Sequence, residues 1–337
     1  MASTNVRPAT AWPAAPGALR GCAVHGLGTA LPEGVVLTSS VAQRLGVKEE
    51  WILQRLGPVR QRHALAEGER ITDLASLAAR RAIEDAGLEP ADIDLVVAAT
   101  TTHDDLLPNM APLVAGDVGT DRAGAFDVGA ACAGFISALS IGASQIESHR
   151  AEAVLAIGTD GVSRFVDPDD RGTAALFGDG AGAVVLRADD DARIGPCRLW
   201  SDAVGRDTIR MTRERPLLHM EGLEVYRFAV AALTEATRAL LEEAGLTVAD
   251  VDLFVYHQAN SRILRAVADR LELADHQRVE SIATTGNTSA ASIPLALAAA
   301  RDEQRLQPGV RVLLGAIGAG FIWGTCLVQW GGNGAPG

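Results

Sequence analysis

The chain has 337 residues, 48% hydrophobic and 21% charged, which suits one large folded domain or two fused halves with a sizeable core. Its formal net charge of −12 excludes a general nucleic-acid-binding surface, which requires a basic face. Lys48 is the only lysine, so nearly every cation is an arginine, a side chain suited to gripping phosphate with two parallel hydrogen bonds.

Residues 1–20 are rich in Ala, Pro, Ser and Thr and lack the apolar core of a secretion signal. They read as a flexible N-terminal tail, with a short transit peptide as the alternative. No apolar run is long enough to span a bilayer, so no membrane association is expected. The cysteines (Cys22, Cys132, Cys197 and Cys326) show no CxxC spacing and are too sparse for a disulfide framework. A reduced, cytoplasmic setting without a metal site is the simplest expectation.

Periodicity predicts helices over 70–87, 133–149, 224–245, 260–272 and 289–305, with strands over 93–100, 152–158, 251–256 and 310–315. The alternation implies an α/β chain whose sheets are mostly parallel and covered by helices. An internal repeat organises it. RAIEDAGLEPADIDLVV (81–97) matches ALLEEAGLTVADVDLFV (239–255) at an offset of 158 residues. At that offset VLAI (154–157) falls on VLLG (312–315), and GAACAGFISALSIG from Gly129 falls near GNTSAASIPLALAA from Gly286. Two halves follow, 21–190 and 191–337, joined by the charged, turn-rich ADDDARIGP around residue 190.

Three residues in this frame are candidates for a site built around a nucleophilic cysteine. Cys132 follows an apolar strand and three small residues and precedes a helix from 133. A helix mouth offers unpaired N–H groups and a positive dipole end, so a thiolate with a lowered pKa is expected there. By position alone a buried structural cysteine is at least as good a reading. His257 lies at the tip of strand 251–256, where a hydrogen-bonded structural histidine is the plain alternative. Asn287 occupies the loop-to-helix turn of the second half matching that of Cys132, where asparagine commonly only caps the helix. The backbone N–H groups of Gly318-Ala319-Gly320, with the amide of Cys132, could bind an oxygen that becomes negative.

Five segments carry a family resemblance: AFDVGAACAGF (125–135), DRGTAALFGDGAGAVVL (170–186), HQANSRI (257–263), GNTSAAS (286–292) and GAGFIWG (318–324). In these the chain resembles the β-ketoacyl-acyl-carrier-protein synthase III family of thiolase-fold condensing enzymes. The resemblance implies a thiolase-like five-layered αβαβα duplication, a homodimer, and Cys132 as acylated nucleophile with His257 and Asn287 as partners. It implies loading from acyl-CoA, a substrate and not a resident cofactor, followed by condensation with malonyl-acyl-carrier protein and loss of carbon dioxide. Cys132 and Ala319 would form the oxyanion hole. Trp51 and Arg171 match the pair that sandwiches adenine, and Arg55 and Arg262 match phosphate contacts. Arg262, Arg265 and Arg270 would offer a cationic patch to an acidic carrier protein, or else form a solvated face with Asp269 and Glu272.

Departures from the family pattern bear on substrate. Leu107, Phe177 and Leu223 are expected to shape the acyl pocket, with Leu107 replacing a Phe that reaches across the dimer and Leu223 replacing an Asn. The segment after Trp51 has an extra residue, and 201–220 is short and Arg-rich. The leading expectation is initiation of a fatty-acid or polyketide chain. The alternative is an acyltransferase or non-decarboxylative condensing enzyme of a secondary pathway. Cys326, inside an apolar strand, is expected to be structural, which argues against a thiolase.

Overall fold

The first-half sheet of the computed structural model is built on strands whose two faces are both apolar. The described residues are 19–189 and 194–331, so most of the expected tail and the middle of the expected link lie outside them. Residue 20, assigned to the tail from composition, is anchored: the Arg20 guanidinium donates to the carbonyls of Ile146 (2.8 Å) and Ala151 (2.6 Å).

In chain order the elements begin with β1 (Cys22–Ala30), β2 (Val35–Leu37), α1 (Thr38–Leu45), α2 (Glu49–Leu56), β3 (Gln61–His63), α3 (Ile71–Asp85) and β4 (Leu95–Ala99). They continue with α4 (Met110–Val118), β5 (Gly124–Val128), α5 (Gly134–Glu147), β6 (Ala153–Gly161), β7 (Asp179–Ala188) and β8 (Ile194–Ser201). The rest is β9 (Ile209–Arg210), β10 (His219–Met220), α6 (Gly222–Ala244), β11 (Leu253–Tyr256), α7 (Ser261–Leu271), α8 (Ile282–Thr285), α9 (Ser292–Asp302), β12 (Arg311–Gly318) and β13 (Ile322–Gln329).

One sheet has the order β1-β7-β6-β4-β5 and the other β11-β12-β13-β8, so the sheets divide the described chain between residues 189 and 194. Alternation along each strand sorts side chains to two faces. Val97, Ala99, Val154 and Ala156 meet α5 and α9 in a core between the sheets, together with Leu253, Val255, Val312 and Leu314 of the second sheet. Val96, Ala98, Leu155 and Ile157 face α3 and α4 on the outside. Phe254, Tyr256 and Leu313 face α6 and α7. The result is five layers, helix-sheet-helix-sheet-helix. Among the described residues no helix is long and apolar enough to cross a membrane.

The offset of 158 holds in three dimensions. The αL glycines that end α3 and α6, Gly87 (φ 64°) and Gly245 (φ 66°), are 158 apart, as are the first residues of α5 and α9. The expected mostly parallel character does not hold. Among the described strand pairs of the two large sheets, β4–β5, β4–β6 and β11–β12 are parallel, whereas β1–β7, β6–β7, β12–β13 and β13–β8 are antiparallel. The reason is local for β12 and β13: three residues, 319–321, cannot make the long crossover that a parallel pair demands.

Each half presses a turn into the strand of the other. A Cβ on Gly158 of β6 would lie 2.3 Å from the Ala290 carbonyl, and one on Gly318 of β12 would lie 2.7 Å from the Cys132 amide nitrogen. Gly158→Ala is therefore expected to destabilise the fold by about 1–3 kcal/mol through overpacking against backbone. Thermal unfolding measures it, and an unchanged melting temperature would refute this reading of the contact.

Candidate active site

Cys132 does not begin α5 directly. It sits in a 3₁₀ turn, Ala131–Ala133, entered through Ala131 at φ 44°. The matching turn, Ser289–Ala291, is entered through Ser289 at φ 50°. A positive φ is uncommon for a side-chain-bearing residue and swings the chain sharply between the loop and its helix. At the offset of 158, Cys132 corresponds to Ala290, so Asn287 lies three residues before the strict match, within the same turn region.

Cys132, His257, Asn287 and Ala319 all line one cavity of about 820 Å³. The expected thiolate is not what this environment favours. Burial pushes the Cys132 thiol up to about 12, Asp160 pushes the same way, and the hydrogen bond from Ser289 only partly opposes them. Ser289 Oγ lies 3.4 Å from Cys132 Sγ. Removal from water is the largest of these influences and favours the protonated sulfur.

His257 follows β11, where its amide donates to the Gly315 carbonyl of the neighbouring strand (2.7 Å). Burial lowers its pKa to about 3, so the imidazole is neutral. Its Nδ1 lies 2.6 Å from Ser292 Oγ. When the Ser292 hydroxyl donates, Nδ1 accepts and Nε2 carries the remaining N–H. Asn287 is held by its backbone against Leu176 and Gly178, and its Oδ1 accepts the Ser289 amide (2.9 Å). That bond fixes the carboxamide with its NH₂ as the donor group, which makes one long contact to the Ala259 carbonyl (3.3 Å).

Ser289, Ser292 and Asp160 were missed from sequence. Asp160 is fully buried: its Oδ1 accepts from the Thr101 amide (2.9 Å) and the hydroxyls of Thr100 (3.1 Å), Thr101 (3.2 Å) and Thr102 (2.8 Å), and its Oδ2 from the Ala290 amide (3.2 Å). It ties the turn of the second half to a loop whose Thr101 and Thr102 line the cavity. A strict application of the repeat would have flagged Ser289, which matches Ala131; nothing in the sequence flagged the other two.

The remaining expected residues divide. Arg55, Arg262, Phe177 and Leu223 line the cavity. Trp51 is half-buried on α2, but the guanidinium over its ring is that of Arg55, 3.7 Å from the centroid. Arg171 reaches the Leu45 carbonyl (3.5 Å); it and Trp51 are expected to sandwich an adenine, an arrangement that does not require the two side chains to touch. Leu107, expected to act across a dimer, is 82% exposed on the loop before α4 and does not line the cavity of its own chain. Asn260 caps α7 through the Arg262 amide (2.8 Å) and donates to the Arg55 carbonyl (3.3 Å), which links the two arginine-bearing helices. Arg262, Arg265 and Arg270 are all exposed on α7. Cys326 is fully buried in β13, opposite Cys197 of β8.

Comparison with known proteins gives one family. Residues 126–203 match the model of 3-oxoacyl-[acyl-carrier-protein] synthase III, and residues 241–330 match that of its C-terminal part. A β-ketoacyl-[acyl-carrier-protein] synthase III of Brucella melitensis is 43% identical over 319 residues, covering 91% of this chain and 98% of that protein. The 3-oxoacyl-(acyl carrier protein) synthase III structure from Pseudomonas aeruginosa is 41% identical, with a TM-score of 0.88, over 93% of this chain and 99% of that one. A priming β-ketosynthase from a polyketide biosynthetic pathway is 37% identical, with a TM-score of 0.91, over 97% and 100%.

The neutral burial of His257 makes stability depend on pH. Its folded pKa is depressed, so below the ordinary value of 6.5 the unfolded chain binds the proton first. This contribution is fully present above pH 6.5 and is lost as pH falls towards 3. His257→Gln should therefore lose less stability than the parent between pH 7 and pH 5, read from denaturant midpoints. Equal losses would show that His257 is not buried in its neutral form.

Proposed function

Because the chain belongs to the 3-oxoacyl-[acyl-carrier-protein] synthase III family of acyltransferases, we propose that it loads an acyl group from acyl-CoA onto Cys132 and condenses it with malonyl-acyl-carrier protein. The observation that carries this reading is the opening of Cys132, His257 and Asn287 onto a single cavity. In loading, the sulfur of Cys132 bonds to the thioester carbon, the amides of Cys132 and Ala319 receive the developing oxyanion, and the carbon–sulfur bond to coenzyme A breaks. The Cys132 proton ends on the departing coenzyme A sulfur, consistent with a resting thiol rather than a thiolate.

Condensation then needs charge stabilisation without an acid. The bond to the malonyl carboxylate breaks, carbon dioxide leaves, and the electron pair moves into an enolate. Neutral His257 and the Asn287 NH₂ are donors for the enolate oxygen. An imidazolium would protonate the carbanion instead. The enolate carbon attacks the acyl-enzyme, the carbon–sulfur bond to Cys132 breaks, and the departing thiolate takes a proton from solvent as the 3-ketoacyl product forms. The product would start a fatty-acid or polyketide chain. The free thiols Cys22, Cys132, Cys197 and Cys326 suit a reducing cytoplasm.

A homodimer fits the same proposal. β5 is an edge strand that presents Phe126 (42% exposed), near the outward Leu106 (80%) and Leu107 (82%). Such a row of apolar groups beside unpaired strand edges needs a cover, and a second copy supplies one. Phe126→Glu should shift the sedimenting mass from dimer to monomer; a monomeric parent would refute the assembly.

Incubation with acyl-CoA and carboxyl-labelled malonyl-carrier protein tests the reaction: an acyl mass on Cys132 and released labelled carbon dioxide are both expected. Acylation without carbon dioxide would instead establish a non-decarboxylative acyltransferase. Asn287→Ala should slow carbon dioxide release by roughly 10²–10³ while loading changes far less, since its donor is used only in the second step. Equal losses in both half-reactions would remove that division of roles.

A further inference from the structure

Arg55 and Arg262 are two of four arginines that line the cavity; the others are Arg206 and Arg210, and among the described residues no aspartate or glutamate joins them there. On a chain with 42 acidic and 30 basic residues, a lining whose charged members are all arginine reverses the overall charge. Arg206 and Arg210 belong to the strap 202–221 that joins β8 to α6, which the sequence marked as short and Arg-rich.

The strap is a built wall. The Asp202 amide donates to the Phe321 carbonyl (2.9 Å), and Gly205 sits so close to the Phe321 ring that a Cβ would lie 2.1 Å from it. β9 pairs with β10, and the Leu218 amide donates to the Phe165 carbonyl (2.7 Å) in the first half. Ile209, Met211, Leu218 and Met220 line the cavity from this strap. Arg206 and Arg210 keep their side chains 78% and 60% exposed, and each pairs with Asp207, at 3.6 and 3.2 Å. Exposed pairs of this kind bind weakly, so a stronger anion displaces Asp207 readily.

We propose that Arg206 and Arg210 form a second phosphate-binding pair for coenzyme A, separate from Arg55 and Arg262. The inference rests on the proposed loading from acyl-CoA and adds to it a dependence on the charge of the thioester's carrier. Coenzyme A bears a diphosphate and a 3′-phosphate, whereas a carrier-bound pantetheine bears one phosphodiester. Guanidinium–phosphate contacts are charge-assisted and bidentate, so two more of them favour the more highly charged ligand.

Calorimetric titration of coenzyme A, 4′-phosphopantetheine and pantetheine into the full chain and into the Arg206→Ala/Arg210→Ala variant tests this. The Kd for coenzyme A should rise roughly tenfold and its salt dependence should weaken, while pantetheine binding is unchanged. Loss on coenzyme A alone assigns the pair to the adenosine-side phosphates; a matched loss on 4′-phosphopantetheine assigns it to the phosphate beside pantetheine. Asp207→Ala, which frees both guanidiniums, should tighten coenzyme A binding. Unchanged coenzyme A affinity in the double variant, or equal weakening of all three probes, overturns the proposal, the latter by making the strap merely structural. Titration reads binding and not turnover. A protein that binds coenzyme A through this pair yet transfers no acyl group would therefore refute the condensing function and leave the pair assigned.

Discussion

The structure depends on a reciprocal insertion: the turn of each half fills a space that a glycine leaves on a strand of the other. Gly158 admits the Ala290 carbonyl, and Gly318 admits the Ala131–Cys132 backbone. Neither position tolerates a Cβ without moving main chain, so the two sheets, the middle helices and both turns are located together. Asp160 reinforces the arrangement from the first half by accepting the Ala290 amide beside its threonine donors. The site is thus positioned by backbone packing, the least deformable part of a protein interior. Cys132, His257 and Asn287 are three separate consequences of that packing.

Burial then decides the charge state of the site. Both titratable members of the trio are neutral at rest, Cys132 because its thiol is pushed up and His257 because its imidazole is pushed down. Desolvation is the first cause in both, and it acts in opposite directions because the charged form is an anion in one and a cation in the other. A site without resting charge suits a reaction whose negative charge appears only transiently, on a carbonyl oxygen. Fixed donors then gain strength from the same low dielectric that made a permanent ion unfavourable. The cations lie instead on α2, α7 and the strap, where water solvates them.

The duplication was legible in the sequence because both copies keep the helix-Gly-turn-strand segment at one offset. The meeting of Cys132, His257 and Asn287 at one cavity was legible because small residues and strand tips mark them. Other features were hidden for physical reasons. The antiparallel partners β7, β8 and β13 carry no βα alternation, so the parallel reading extended too far. The lowered thiol pKa was inferred from a helix mouth, a local feature, whereas depth of burial is a property of the assembled fold. Ser289 and Ser292 look like ordinary helix-start residues until folding sets them beside Cys132 and His257.

The halves are not equal, and their difference has a use. The first sheet ends in β5 at 124–128, whereas the offset places its counterpart at 282–286, where the chain forms α8 instead. A single parallel bridge, Phe254 to Arg278, is what pairs beside β11 in place of a strand. Freed from a ladder, this segment meets the first half: the Arg60 amide donates to the Ala283 carbonyl (2.9 Å), and Ile282 joins the core formed by α1, α2 and 174–177. That core seats α2, and α2 brings Arg55 to the cavity beside Arg262 of α7. Loss of one strand in the second half therefore provides the docking surface for the element that gives the cavity part of its cationic lining. A strictly symmetric duplication would have two turns and two edge strands but no seat for that cap.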